Sequence, residues 1–323
     1  MSKKTKIVLF TEINSKLGSP FLRILSAHPM IELLMVITSP PNKECDYFIN
    51  DRYSVNIEKE AISLGVTIKR PEKVSSPETI ISIKESNPDY FIVANFQQLL
   101  TRELLDIPNA MPINFHPSPL PRYAGLAPFY WMIKNGETKT SISAIKMDEG
   151  LDTGDIIMQR SIHFSEKETC IGLRTFQEDQ NVLMLLDLIP LMVNNNFSYK
   201  PQNMQNRSYF GRPKSSDYHL NFQLEAQVLE RHIRAAYRHP GAYFLTKKNL
   251  KIVVLSANVT NIPSNIEESG EIRYSKGKIF VATKDFWLQL LTIDMDGVEV
   301  PASLLINNEK TDNRTNIFEN IHI

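Results

Sequence analysis

Short apolar runs that alternate with amphipathic segments set the tightest limit on how this chain can fold. Residues 6–11 (KIVLFT), 33–38, 66–68, 90–94 and 111–115 are brief and rich in Ile, Val, Leu and Phe, as strands buried on both faces are. Between them the apolar residues take helical spacing. Phe21, Leu22, Ile24 and Leu25 follow a glycine-containing loop at 12–20, and further helices are expected over 56–64 and 76–85. Strands and helices in this order join by right-handed crossovers into an α/β fold with a mostly parallel sheet covered on both faces. Ligands of such sheets bind beyond the carboxyl ends of the strands, where strand order reverses.

The strand at 111–115 runs into the stretch with the densest chemistry, NFHPSPLPRYAGLAPFYWMIKNGETKTSISAIKMDEGLDTGD at 114–155. Asn114 and His116 share a strand face, because side chains alternate. Pro117, Pro119 and Pro121 fix their own φ and restrict the residue before each, which makes the following loop rigid. An acidic loop at 148–155 carries Asp152, with Gly150 and Gly154 to let it bend. Strands are expected on either side of it, over 141–147 and 156–164. An amide, an imidazole and a carboxylate on neighbouring loops can polarise a carbonyl and move a proton. The acidic loop lacks the ligand periodicity and final glutamate of a calcium-binding EF-hand. Asp148, Glu149 and Asp155 therefore read as loop-shaping or solvated. His28, His163, His219, His232, His239 and His322 have no metal-ligand spacing. Tyr130 and Trp131 read as core.

A helix is expected over 166–194. The chain then turns polar over 195–207 and loses periodicity, with 199–207 as a linker. This divides it into a catalytic domain at 1–198 and a second domain at 208–323. The second domain has one helix near 223–237 and short β-like runs at 242–246, 251–257, 270–274, 278–283 and 287–294, which point to a small barrel or sandwich. A chain of 323 residues holds two such domains. Lys and Arg number 36 and so do Asp and Glu, so the basic excess of a nucleic-acid binder is missing. Cys45 and Cys170 lie far apart and read as reduced thiols. The apolar run at 7–10 after Lys3, Lys4 and Lys6 is too short for a signal peptide. No segment reaches the ~20 apolar residues of a membrane span. A cytoplasmic protein with no membrane partner is expected.

With Asn114, His116, Pro119-Leu120-Pro121 and Asp152 at these spacings, the sequence resembles the folate-dependent formyltransferases. These include glycinamide ribonucleotide, methionyl-tRNA and amino-sugar enzymes. The resemblance is specific over 88–164 and looser elsewhere. It implies a Rossmann-like formyltransferase sheet followed by the OB-like barrel of the two-domain members. It also implies 10-formyltetrahydrofolate as co-substrate, no metal, and Asn114, His116 and Asp152 as catalytic residues. The pterin is then expected between the loop after the 90–94 strand (Asn95, Phe96, Gln98, Leu99, Leu100) and the acidic loop (Asp148, Gly150, Leu151, Asp155). Backbone groups would read it, with Leu99 and Leu100 as apolar walls. The family often has Tyr-Gly in the first loop, where Asn95-Phe96 stands here. Ser118, Arg122 and Tyr123 are expected to face the acceptor.

The run SYFGRP at 208–213, with Ile233-Arg234-Ala235 and His239-Pro240-Gly241-Ala242-Tyr243, looks most like enzymes that formylate nucleotide-linked aminosugars. The methionyl-tRNA enzymes share the later part and usually lack the FGR. A tRNA would call for many phosphate-reading cations. The loop at 40–52 has Lys43 and Arg52 against Glu44, Asp46 and Asp51, and residues 207–323 hold 15 Lys and Arg against 13 Asp and Glu. The expected acceptor is therefore a small nucleotide-aminosugar, with Lys16, Arg122, Arg212 and Arg238 as candidates for its diphosphate. Methionyl-tRNA is the runner-up. Hydrolysis of formyltetrahydrofolate comes third, since such enzymes usually carry an N-terminal regulatory domain not seen here. A non-catalytic relative would have lost one of Asn114, His116 and Asp152. Exposed C-terminal strands leave a homodimer open.

Overall fold

The computed structural model describes residues 3–45 and 53–307; Asp46, Asp51, Arg52 and His322, weighed above, lie outside the described residues. The chain forms two compact units. The first comprises Met1–Pro128, Lys139–His163 and Arg174–Phe210, and the second Phe129–Thr138, Phe164–Leu173 and Gly211–Ile323. Residues 199–207, expected as a linker, lie inside the first unit.

Strands β1 (Thr5–Phe10), β2 (Ile31–Ile37), β3 (Thr67–Lys69), β4 (Tyr90–Ala94), β5 (Met111–His116), β7 (Lys139–Lys146) and β8 (Ile156–His163) build the first unit's seven-stranded sheet, in the order β3-β2-β1-β4-β5-β7-β8. The short strands β6 (Ala124–Gly125) and β9 (Tyr209–Phe210) pair separately. The main sheet is parallel from β3 to β5 and antiparallel at β7 and β8. An antiparallel pair needs no crossover helix, so β7 and β8 are joined directly by the acidic loop. Strand order reverses between β1 and β4, which opens the crevice expected of such sheets.

Both sheet faces are covered, and the apolar runs show why. Ile7 and Leu9 point to one face, against α1 (Gly18–Ala27), α2 (Ile57–Ser63) and residues 184–192 of a long later helix. Val8 and Phe10 point to the other, against α3 (Pro77–Glu85) and Leu104 of α4 (Arg102–Leu105). Fully burying one such side chain contributes about 2 kcal/mol, so a one-residue slip in register would be costly. Asn56 caps α2 by accepting the Lys59 N–H at 2.9 Å, and Ser76 caps α3 with Pro77 in its first turn. Two helices carry residues of both units: α5 (Pro128–Lys134) and α6 (Cys170–Asn194).

The second unit holds a six-stranded antiparallel sheet made of β10 (Ala242–Leu245), β11 (Lys251–Pro263), β12 (Ile272–Ser275), β13 (Lys278–Ala282), β14 (Phe286–Met295) and β15 (Val298–Pro301). Its order is β10-β11-β14-β13-β12, with β15 on β14. The amphipathic helix α7 (Ala226–Ala236) packs on β11 and β14. Cys45 and Cys170 are buried and unbridged. No helix among the described residues is long and apolar enough to cross a membrane.

One buried polar knot in the second unit has a measurable consequence. The Asp217 carbonyl accepts the Tyr130 hydroxyl at 2.7 Å, the Lys134 ammonium at 3.0 Å and the His232 imidazole. Burial, with help from the Lys134 charge, pushes the His232 pKa down to about 4. Between that value and the ~6.5 of an unfolded histidine, only the unfolded chain takes up the proton, so stability falls as pH drops through this window. The loss between about pH 7 and about pH 5 is expected to be about 2 kcal/mol smaller in His232→Gln, measured by urea unfolding at both pH values.

Candidate active site

β5 ends in the pair of polar residues that the alternation demands. Ile113 and Phe115 enter the core on one face, so Asn114 and His116 project from the other. Asn114 is half-buried and His116 is 6% exposed. Nε2 of His116 lies 3.2 Å from the Tyr123 carbonyl, an acceptor only, which assigns a proton to that nitrogen. Nδ1 stands 3.5 Å from Asp152 Oδ1. Catalytic contacts of this length commonly tighten when substrate binds.

Asp152 is fixed from several directions. Its Oδ2 accepts the Gly125 N–H at 2.9 Å, and its backbone sits at φ +56°, a conformation that Asp tolerates better than most residues. Gln202 donates through Nε2 to the carbonyls of Asp152 and Gly154, at 2.9 and 2.7 Å, and Arg207 donates to the Leu151 carbonyl at 2.7 Å. Asp148 shapes the same loop by accepting the Gly150 N–H and the Thr153 hydroxyl. Gln202 and Arg207 were read only as part of a polar linker, and a single sequence carries no signal that would have found them.

Gly125 is the junction between Asp152 and the β6–β9 pair. It has φ +100°, and a Cβ there would sit 2.2 Å from the Phe210 carbonyl oxygen, which already accepts the Leu126 N–H at 2.8 Å. Gly125→Ala is expected to cost about 3 kcal/mol, from backbone strain and a clash that cannot relax. Urea unfolding checks this, and transfer activity should fall as well because the displaced backbone carries the residue 125 N–H away from Asp152.

The other expected residues separate into reachable and buried groups. Ser118 is fully buried and donates its hydroxyl to the Arg122 carbonyl at 3.0 Å. Tyr123, at φ +57°, is buried and stacks on Phe210 with ring centroids 5.1 Å apart. Neither side chain faces outward as expected, because the proline loop folds back on Ser118 and the Tyr123 ring packs on Phe210 of β9. Arg122 is exposed. Phe96 packs edge-on against Phe10 and Leu100 joins the same core cluster, whereas Leu99 is 71% exposed. Asn95 takes φ +57° and Gln98 accepts the Val74 N–H at 2.8 Å. Leu151 is exposed, and the Asp155 carbonyl accepts the Lys146 N–H at 2.9 Å. Lys16 is half-buried and Arg212 exposed. Arg238, a diphosphate candidate, is instead held by Glu299 at 2.9 Å.

A cavity of about 530 Å³ lies beside the acidic loop, within the size range of small-ligand sites. Leu105, Pro112, Met147, Asp148 and Gly150 line it, together with the charged Arg102, Asp106, Lys146 and Glu149. Of the residues expected to bind folate only Asp148 and Gly150 line it, next to α4; Asn95–Leu100 and the expected catalytic residues Asn114, His116 and Asp152 are not among its lining residues. Among the described residues no cluster of three or more His, Cys, Asp or Glu side chains is placed to hold a metal.

Two families match the chain: formyl transferase over residues 6–188, and the formyl transferase C-terminal domain over 213–309. The methionyl-tRNA formyltransferase of Thermodesulfovibrio yellowstonii is 28% identical, over 88% of this chain and 91% of its own length. The corresponding protein of Clostridioides difficile is 31% identical over 86% and 91%. Among solved structures, the sugar 3N-formyl transferase WlaRD, determined in the presence of dTDP and 5-N-formyl-THF, superposes with a TM-score of 0.67 at 18% identity, over 90% of this chain and 98% of that one. The N-formyltransferase of Helicobacter canadensis, in complex with folinic acid and dTDP-3-aminofucose, gives 0.64 at 18%, over 89% and 98%. At that identity the likeness is one of fold.

Proposed function

The chain belongs to the formyl transferase family, and from that premise we propose that it moves the formyl group of 10-formyltetrahydrofolate to the primary amine of a nucleotide-linked aminosugar. The observation that carries the chemistry is the His116–Asp152 pair beside Asn114 at the end of β5. The amine lone pair adds to the formyl carbon, giving a tetrahedral oxyanion. Asn114 donates its side-chain amide to that oxygen, a contact of a kind commonly contributing about 3 kcal/mol to the barrier reduction. The proton shed by the amine is held between His116 Nδ1 and Asp152, with Nε2 kept protonated by the Tyr123 carbonyl. The bond from carbon to N10 then breaks, N10 takes up a proton, and the formamide and tetrahydrofolate leave. The flat pterin, edged with donors and acceptors, lies in this reading between the loop after β4 and the acidic loop, and the cavity bordered by Leu105, Pro112 and Met147 adjoins the second of these.

The acceptor assignment rests on charge. The loop at 40–52 is net acidic by composition, and residues 207–323 hold 15 cationic against 13 anionic side chains. That is too even a balance for a surface that grips tRNA. A second reading is favoured by a different observation: curated relatives at 28–33% identity are methionyl-tRNA formyltransferases. Purified protein with 10-formyltetrahydrofolate, assayed against dTDP-, UDP- and GDP-linked aminosugars and against methionyl-tRNA, separates the two. Turnover with a nucleotide-sugar alone is expected. Turnover with the tRNA alone would overturn the acceptor assignment and leave formyl transfer standing.

A further inference from the structure

The loops after β1, β2 and β4 meet at the point where the strand order reverses, and one acidic side chain ties them together. Glu12 follows β1 and is 5% exposed. Its N–H donates to the Asn95 carbonyl at 2.9 Å, and its Oε1 accepts the Gln97 N–H at 2.8 Å. Its other carboxylate oxygen accepts the hydroxyl of Ser39, the residue after Thr38 beyond β2, and Ser39 Oγ accepts the Ile13 N–H at 3.0 Å. Asn95, between the two backbone contacts, is held at φ +57°. Gln97 donates through Nε2 to Cys45 Sγ at 3.0 Å. Asn14 pairs with the Cys45 backbone through both its Oδ1 and Nδ2, at 2.9 and 3.0 Å. A buried carboxylate is costly unless its oxygens are hydrogen-bonded. Here the partners come from two other strand ends, so the carboxylate defines how those ends stand relative to β1.

We propose that Glu12 is a positioning residue for the folate co-substrate: its carboxylate holds the Asn95–Gln97 turn in the left-handed conformation that presents the loop's backbone groups to the pterin. This rests on the placement of folate against the loop after β4. Glu12 stays out of contact with the reacting atoms and acts through the turn. It therefore controls how tightly folate is bound and leaves the chemical step to Asn114, His116 and Asp152. Gln supplies an acceptor for the Gln97 N–H and a donor for Ser39 Oγ, whereas Ala removes both contacts.

The test measures binding of 5-formyltetrahydrofolate by calorimetry and steady-state kinetics for wild type, Glu12→Ala, Glu12→Gln and Ser39→Ala. Circular dichroism confirms that each is folded. In Glu12→Ala both the folate Kd and the KM for 10-formyltetrahydrofolate are expected to rise about tenfold, because the turn loses the carboxylate contact that fixes its conformation. Its kcat should stay within about threefold and the acceptor KM should not change. Glu12→Gln should bind folate within about threefold of wild type. If the Ala variant fails to fold, the other two carry the test: Ser39→Ala should weaken folate binding about threefold while Gln stays near wild type. Unchanged folate binding in a folded Ala variant, or in Ser39→Ala, overturns the role of Glu12 and leaves formyl transfer standing. A Gln variant as weak as Ala also overturns it, because charge rather than hydrogen bonding would then be at work. Wild-type protein that binds no 5-formyltetrahydrofolate overturns both the folate assignment and this role.

Discussion

His116→Ala is expected to lower formyl transfer about a thousandfold, because the ring's proton-handling and the polarity it supplies at the reacting carbon disappear together. The loss should fall on kcat, with the KM for 10-formyltetrahydrofolate within about threefold of wild type, since the cavity beside the acidic loop does not use this side chain. Stability should drop by only about 1 kcal/mol, from the lost hydrogen bond to the Tyr123 carbonyl. Single-turnover kinetics with saturating folate, next to a thermal melt of the same sample, check both parts. A folded His116→Ala enzyme with full activity would contradict the assignment of the pair.

Asp152→Asn is the second large effect and isolates charge from shape. Asn tolerates φ near +60° about as well as Asp, and its side-chain oxygen can still accept the Gly125 N–H that holds Asp152 now. The loop should therefore keep its form, also because Gln202 and Arg207 grip its backbone. What disappears is the negative charge 3.5 Å from His116 Nδ1, which stabilises the imidazole once it carries the amine's proton. By analogy with Asp-to-Asn changes at an imidazole in other enzymes, transfer should fall about 10³- to 10⁴-fold. Activity within tenfold of wild type would show that the carboxylate only shapes the loop.

The parallel sheet was legible because its strands are buried on both faces. Residues 7–10 and 91–94 carry no polar position that could face water, and Val8 and Phe10 enter one core cluster while Ile7 and Leu9 enter the other. The Asn114 and His116 positions followed from the same alternation. Asp152 followed from its glycine-flanked acidic loop together with the family spacing. The β6–β9 pair escaped, since two residues each hold no periodic signal and the partners lie 85 positions apart in the chain. The grip of Gln202 and Arg207 on the acidic loop escaped for a related reason: it depends on side chains meeting distant backbone carbonyls, which composition cannot show. Ser118 and Tyr123 were expected to face a substrate, but Ser118 bonds back into the proline loop and the Tyr123 ring packs on Phe210. Glu12 left no trace in the sequence beyond its place in the loop after β1, since its partners Ser39 and Gln97 lie far off in the chain.

The most direct measurement is amine-dependent release of tetrahydrofolate from 10-formyltetrahydrofolate, followed alongside mass-spectrometric detection of the formylated acceptor. Release that needs a nucleotide-linked aminosugar, matches the amount of formamide formed and vanishes in His116→Ala is the expected result. Release at the same rate with no amine present, yielding formate instead, would contradict formyl transfer as the function of this site.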